Sequence, residues 1–175
     1  RKIEMERQVI QMLPKNLQVR IVSEIRAPIL LTHPLFNNLH HRLPRLIQHM
    51  CLSSIDHVVA HRNEQFFEYG DVCNTMTFVS GGTLCYTHYE DMTVCDDNPL
   101  DAADDTLCGE TLGRGMWLCE PVLFAEWINM GTLEAVSSSS LLLLTANDFV
   151  HDCQQHRDAF AMAAAYGAQL VRRLK

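Results

Sequence analysis

Hydrophobic and polar positions follow three textures along the chain. Up to about residue 55 the apolar residues recur at helical steps. "RKIEMERQVIQML" carries Ile3, Val9, Ile10 and Leu13, and Pro14 follows where a new helix would begin, its fixed φ suited to a first turn. "KNLQVRIVSEI" sets Leu17, Ile21 and Ile25 four apart, one stripe on a 3.6-residue period that reads as a packing face. "THPLF" interrupts the pattern at Pro34, and "LPRLIQHMCLSSI" resumes it with Leu43, Leu46, Ile47 and Met50. From about 55 to 145 the segments shorten and turn β-branched and aromatic: "SIDHVVAH", "EQFFEYGD", "NTMTFVSGG", "TLCYTHYE", "GTLEAVSS" and "SLLLLTA". Close turn signals between such segments predict an all-β barrel or jelly-roll unit. Gly81 and Gly82 in "SGGTL" predict a hairpin turn. After Thr145 helical spacing returns. Asn147 or Asp148 stands where an N-cap is expected. Phe160, Ala164, Gly167, Leu170, Val171 and Leu174 line one side of an Ala-rich helix ending in Arg172, Arg173 and Lys175, favourable at the negative end of its dipole. The expected class is α+β, mainly β: helices over 1–55, a β-roll over 56–145, and helices over 146–175.

Composition narrows this picture only a little. At 175 residues, 47% hydrophobic and 20% charged, the chain is an ordinary globular one, long enough for one cored domain with a helical appendage. No apolar run approaches the roughly 18–20 residues of a bilayer span. The opening residue is Arg1, which suggests a piece of a longer protein. The net charge of −7 is local: eight of the 21 acids fall in residues 90–110, leaving 13 against 14 bases elsewhere. That stretch reads as a solvated insertion between two strands, with a docking surface for a basic partner as the other reading. Neither charge nor aromatic spacing points to nucleic acid. Seven cysteines, an odd number without a CxxC pair, argue for reduced thiols. His40–His41 and the His57/His61 pair have no Cys or Glu at ligand spacing, so no metal is expected.

The order of textures, with its motifs, resembles the cyclic-nucleotide-binding domain preceded by the end of a channel C-linker. "GDVCNTMTFVSGG" matches the strand–turn–strand form of that family with Gly70, Met76, Phe78, Val79 and Gly82. "LPKNLQVRIVSEIRAPILLTHPLF" is similar to the linker helices and Pro-Leu-Phe step of voltage-gated-type channels, and "LLLLTANDF" to the last strand running into the hinge helix. In members that bind ligand, a short helix aims backbone N–H groups at the cyclic phosphate, a Glu accepts the ribose hydroxyl, and an Arg pairs with the phosphate. The resemblance carries this cassette onto "CEPVLFAEWINMGTLEA". Cys119 falls where the family has Gly, Glu120 where it has the ribose-contacting Glu, and Pro121 follows; Leu123 and Phe124 form the apolar side of the short helix. The Arg position falls at Asn129, followed by Met130, Gly131 and Thr132, and no Lys or Arg occurs between Arg114 and Arg157. Trp117, Leu118, Phe78, Ala164 and Gly167 are the expected pocket lining, and Trp127 a second bulky ring that fills part of it.

Loss of a hydrogen bond to a charged group costs about 1.5–3 kcal/mol, tenfold or more in affinity. The resemblance therefore implies a regulatory module rather than an enzyme, on the cytoplasmic side of a membrane, gating a potassium or cation channel. The resemblance implies a pore outside this chain and a homotetramer in the full-length protein, with no cofactor other than cAMP or cGMP as a regulatory ligand. Ether-à-go-go-type channels share the Glu-Pro step and the missing Arg. The alternatives are a cAMP or cGMP sensor with an altered cassette, in which Arg114 could reach the phosphate from another side, and a regulatory subunit of a cyclic-nucleotide-dependent kinase. A Cys–His nucleophile, Cys119 with His88 or His151, has no local signature. Glu120 also suits a purely local role, capping the short helix ahead of Pro121.

Overall fold

The structure, a computed structural model, describes residues 2–92 and 109–173. The chain is α+β with antiparallel sheets. Four helices lead: α1 (Lys2–Gln11), α2 (Lys15–Leu30), α3 (Pro34–Arg42) and α4 (Pro44–His49), the last continuing as a π-helical turn, Met50–Ser54. Ten strands follow: β1 (Ile55–Ala60), β2 (Gln65–Phe67), β3 (Val72–Cys73), β4 (Thr75–Gly81), β5 (Leu84–His88), β6 (Glu110–Leu112), β7 (Trp117–Leu118), β8 (Trp127–Ile128), β9 (Gly131–Ala135) and β10 (Ser139–Thr145). A short helix α5 (Tyr89–Met92) follows β5, and α6 (Ala146–Gln154) and α7 (Arg157–Arg173) end the chain. Helix exceeds strand in residues, so the expectation of a mainly β chain is corrected. Most of the acidic stretch, 93–108, lies outside the described residues; the strands on either side, β5 and β6, pair with each other.

The strands form two four-stranded sheets, β1-β10-β4-β7 and β2-β9-β5-β6, with a two-stranded ribbon β3-β8. The leucine run of β10 explains how they stack. Its odd and even side chains leave opposite faces of the strand. Leu141 joins Ala60, Val79, Leu84, Leu112, Leu133 and Ala135 between the sheets. Leu142 and Leu144 join Met76 and Phe78 in a larger core against α2, α3, α4, α6 and α7. A central strand with both faces covered needs no polar alternation, which is why four leucines run together. Full burial of each is worth about 1.5–3 kcal/mol.

Four local expectations change. The Gly81–Gly82 turn is not a hairpin: only Gly82 has positive φ (+83°), and β4 and β5 belong to different sheets, so the chain turns a corner there. The Leu17–Ile25 stripe of α2 faces outward, with Leu17 40% and Ile25 62% exposed, while Val22, Ile29 and Leu30 are buried. The N-cap of α6 is Thr145, whose Oγ1 accepts the Asp148 N–H at 3.0 Å and donates to Asp148 Oδ2 at 2.6 Å. Pro34 starts α3 rather than only breaking the helix before it. Long-range polar ties join the layers. Arg26 donates to the Cys51 and Ile55 carbonyls, both at 2.6 Å. Asp152 of α6, nearly fully buried, accepts from Ser54 at 2.5 Å and faces His49 at 3.3 Å.

Candidate functional site

The cassette is a single 3-10 turn, Glu120–Leu123, set between β7 and β8. Cys119 ahead of it has φ +61° and ψ 27°, the left-handed conformation that favours glycine, so a side chain there is carried at a strain cost. Val122 and Leu123 point into the main core. The turn closes on itself, Val122 N–H on the Cys119 carbonyl at 3.1 Å and Phe124 and Ala125 N–H on that of Pro121, each at 3.0 Å. Pro121 has no N–H to offer.

Seven of the residues singled out in the sequence line one cavity. Trp117, Leu118, Cys119, Pro121, Trp127, Asn129 and Met130 meet Phe67, Tyr86 and Glu110 around about 260 Å³. Glu120 points elsewhere. Its Oε1 takes hydrogen bonds from His33 Nε2 at 2.8 Å and from the Tyr166 hydroxyl at 2.5 Å. His33 is fully buried at the N-cap of α3, and its Nδ1 accepts the Leu35 N–H at 3.2 Å, which leaves the proton on Nε2 to be donated. Burial opposes ionisation of Glu120, but the hydrogen bonds from His33 and Tyr166 outweigh it and hold the carboxyl below its ordinary range. Burial and the same carboxylate push the Tyr166 phenol up. Glu120 is thus a clasp between α3, the cassette and α7.

The remaining expected site residues are placed by packing. Phe78 is fully buried on the helix side, 5.7 Å from Phe36 and 6.3 Å from His33 between ring centroids. A side chain on Gly131 would meet the Thr87 carbonyl at 2.4 Å, so strand pairing with β5 demands that glycine. Thr132 Oγ1 accepts the Tyr69 N–H at 3.4 Å. Ala164 is exposed and does not line the cavity; the inward face of α7 is Ala159, Ala163 and Gly167, one residue round from the expected one, and Phe160 is 52% exposed. Gly167 admits the Phe124 ring, which would lie 2.4 Å from an added Cβ. Leu174 lies outside the described residues.

Asn129 is buried and its Oδ1 accepts from the Cys119 thiol at 3.4 Å. The same thiol is within hydrogen-bonding reach of Cys73, whose pKa it lowers to about 7, while Cys119 is itself raised. Burial pushes Cys51 up to about 11 and Cys153 to about 12. The five cysteines of the described residues are free thiols, and the contacts of Cys119 are Asn129 and Cys73 rather than a histidine. Arg114 donates to the Ser80 carbonyl at 2.8 Å and lines a separate cavity with Arg26 and His57. His57 lies on a strand, where residues four apart do not share a helix face with His61. Among the described residues no three His, Cys, Asp or Glu side chains converge as metal ligands, and no helix is long and apolar enough to cross a membrane.

The sequence pointed to the cavity but not to His33, Tyr166 or Cys73. His33 immediately before the helix-starting Pro34, and a single Tyr in an Ala-rich helix, were signals available in "THPLF" and "AMAAAYGAQ". No known protein-family model matches the chain, and no curated protein is significantly similar to it.

Proposed function

We propose that the chain is a regulatory module of the cyclic-nucleotide-binding-homology kind, which couples linker helices to a C-terminal helix and gates a potassium or cation channel without using the cyclic phosphate as its signal. The observation that carries this reading is the double use of the Glu120 carboxylate by His33 and Tyr166. The group the resemblance assigns to a ribose is occupied by the protein, and the occupants belong to the elements whose relative movement would constitute gating. A shift of α7 that broke the Tyr166 contact would leave a partly buried carboxylate short of a partner, so the clasp favours one of two arrangements.

Other features agree. The order of helices, antiparallel sheets, short cassette turn and closing helix pair is compatible with the resembled domain. Asn129 stands where a phosphate-pairing Arg is needed, Pro121 withdraws an N–H, and the charged group lining the cavity is the acidic Glu110. Met5 and Val9 of α1, Met12 after it, and Leu17 and Ile25 of α2 are exposed apolar residues of the kind neighbouring subunits of a tetramer would cover. The test is electrophysiological. In the longer channel protein, Tyr166→Phe should shift the voltage of half-activation, while millimolar cAMP or cGMP applied to excised patches should leave it unchanged. A nucleotide-induced shift would favour the sensor reading. Absence of any effect of Tyr166→Phe on a channel that conducts would remove the clasp from gating.

A further inference from the structure

We propose that the cavity of about 260 Å³ beneath the cassette is a receptor for a small organic cation, held by Glu110 and the aromatic walls Phe67, Tyr86, Trp117 and Trp127. The proposal rests on the reading of this pocket as one without phosphate recognition, and it deepens that reading by assigning the ligand class.

Three observations carry it. The first is sign. The lining contains one carboxylate, Glu110, and no Lys, Arg or His. Desolvation raises Tyr86 and contact with Cys73 raises Cys119, so both stay neutral near pH 7 and the site carries one negative charge. The adjoining cavity, about 360 Å³, shares Phe67 and Asn129 and adds Asp71, again without a basic residue. A phosphate entering here meets carboxylates and no counter-charge, whereas an ammonium group meets the opposite sign.

The second is the wall chemistry. Four aromatic residues line the space, and the negative face of an aromatic ring attracts a cation within about 6 Å of its centroid. Phe67 and Tyr86 lie 6.4 Å apart at 62°, so the two rings do not stack their faces on each other. Trp117 is anchored from behind: its ring meets His33 edge-on at 4.8 Å, and its N–H is within reach of Glu120. Tyr86 is seated against Gly131, where an added Cβ would lie 2.8 Å from the ring. Fixed rings lose little freedom on binding.

The third is size. The volume lies just below the roughly 300–1,000 Å³ of sites for larger ligands, and it suits a methylated ammonium group with a short tail.

Choline is the probe, titrated by calorimetry and by quenching of tryptophan fluorescence in the 175-residue chain. The control is its neutral isostere, in which a tert-butyl group replaces trimethylammonium. Choline should bind saturably, and the isostere about tenfold or more weaker. Glu110→Gln, an exposed substitution that should leave the circular-dichroism spectrum and melting midpoint unchanged, should weaken choline by about tenfold and leave the isostere unaffected. Equal binding of choline and isostere overturns the proposal, as does choline silence into the millimolar range or an unaltered affinity in Glu110→Gln. A parallel cAMP titration separates the two readings. Micromolar cAMP binding would remove both, whereas silence of cAMP and choline together removes only the organic cation.

Discussion

Removing the Tyr166 hydroxyl tests the clasp with the smallest possible change. Tyr166→Phe keeps the ring against Phe124, 6.0 Å between centroids, and deletes only the bond to Glu120 Oε1. A hydrogen bond to a charged group contributes about 1.5–3 kcal/mol. The Glu120 side chain is 16% exposed and keeps His33, so water and imidazole recover part of the loss and the lower end, about 1.5–2 kcal/mol, is expected. Urea unfolding followed by tryptophan fluorescence measures it, with an unchanged slope marking an undisturbed native state. The pH dependence gives a second arm. The folded-state pKa of Glu120 is depressed, so its contribution is present above the unfolded carboxylate value, about 4.3, and fades as pH falls through the lower folded value. The gap between wild type and Tyr166→Phe should therefore hold at neutral pH and narrow in acid. In a double-mutant cycle with Glu120→Gln, the two changes should be strongly non-additive. A loss below about 0.5 kcal/mol at neutral pH, the scatter of ordinary surface changes, would refute the argument.

Further predictions follow from close contacts. Gly167→Ala should destabilise by about 1 kcal/mol or more, because the clash with Phe124 exceeds the helix-propensity gain of roughly 1 kcal/mol; thermal unfolding would show it. Thr145→Ala should cost about 1 kcal/mol through the lost cap of α6, whereas Asn147→Ala should cost markedly less in the same denaturation assay. Alkylation by iodoacetamide, mapped by mass spectrometry, should titrate at Cys73 near pH 7 and leave Cys51 and Cys153 unmodified until far higher pH or unfolding. Cys119→Ala, which removes the donor beside Cys73, should move that Cys73 midpoint upward.

How much of this was legible in the chain depends on whether the signal was local. Strands containing Val79, Leu133 and the leucine run announced themselves by composition, and of the expected Gly81–Gly82 pair only Gly82 adopts the positive φ, +83°. Faces of helices were harder. In α2 the stripe at Leu17, Ile21 and Ile25 is as apolar as the buried one at Val22 and Ile29, and only the tertiary partner decides between them. In α7 alanines surround the axis, so hydrophobicity could not distinguish Ala163, which is buried, from Ala164, which is not. The short strands β7 and β8, two residues each, carry no period at all, yet they fix both ends of the cassette. Glu120 shows the limit most clearly. Its type was readable, but the direction of its carboxylate is set by His33, 87 positions away, and by Tyr166, 46 positions away.

Trp117 ties the cavity and the clasp together. One side of its indole forms a wall of the cavity, and the ring also rests on His33, which holds Glu120. His33 in turn sits in the aromatic cluster of Phe36 and Phe78, and Glu120 reaches Tyr166 on α7. A ligand in the cavity can influence α7 only if it favours one placement of Trp117 over another, since differential contact is the only means by which binding shifts an equilibrium. A cation stacked on the indole meets that condition, and an apolar molecule merely filling volume meets it less well. Replacing Trp117 by Leu should therefore uncouple occupancy of the cavity from the state of the clasp. In that variant choline should no longer alter the rate at which Tyr166-dependent amides of α7 exchange with solvent deuterium, while the same measurement on the unaltered chain should show slower exchange on saturation. Equal protection in both would mean that cavity and clasp respond independently, and that Trp117 is a wall and nothing more.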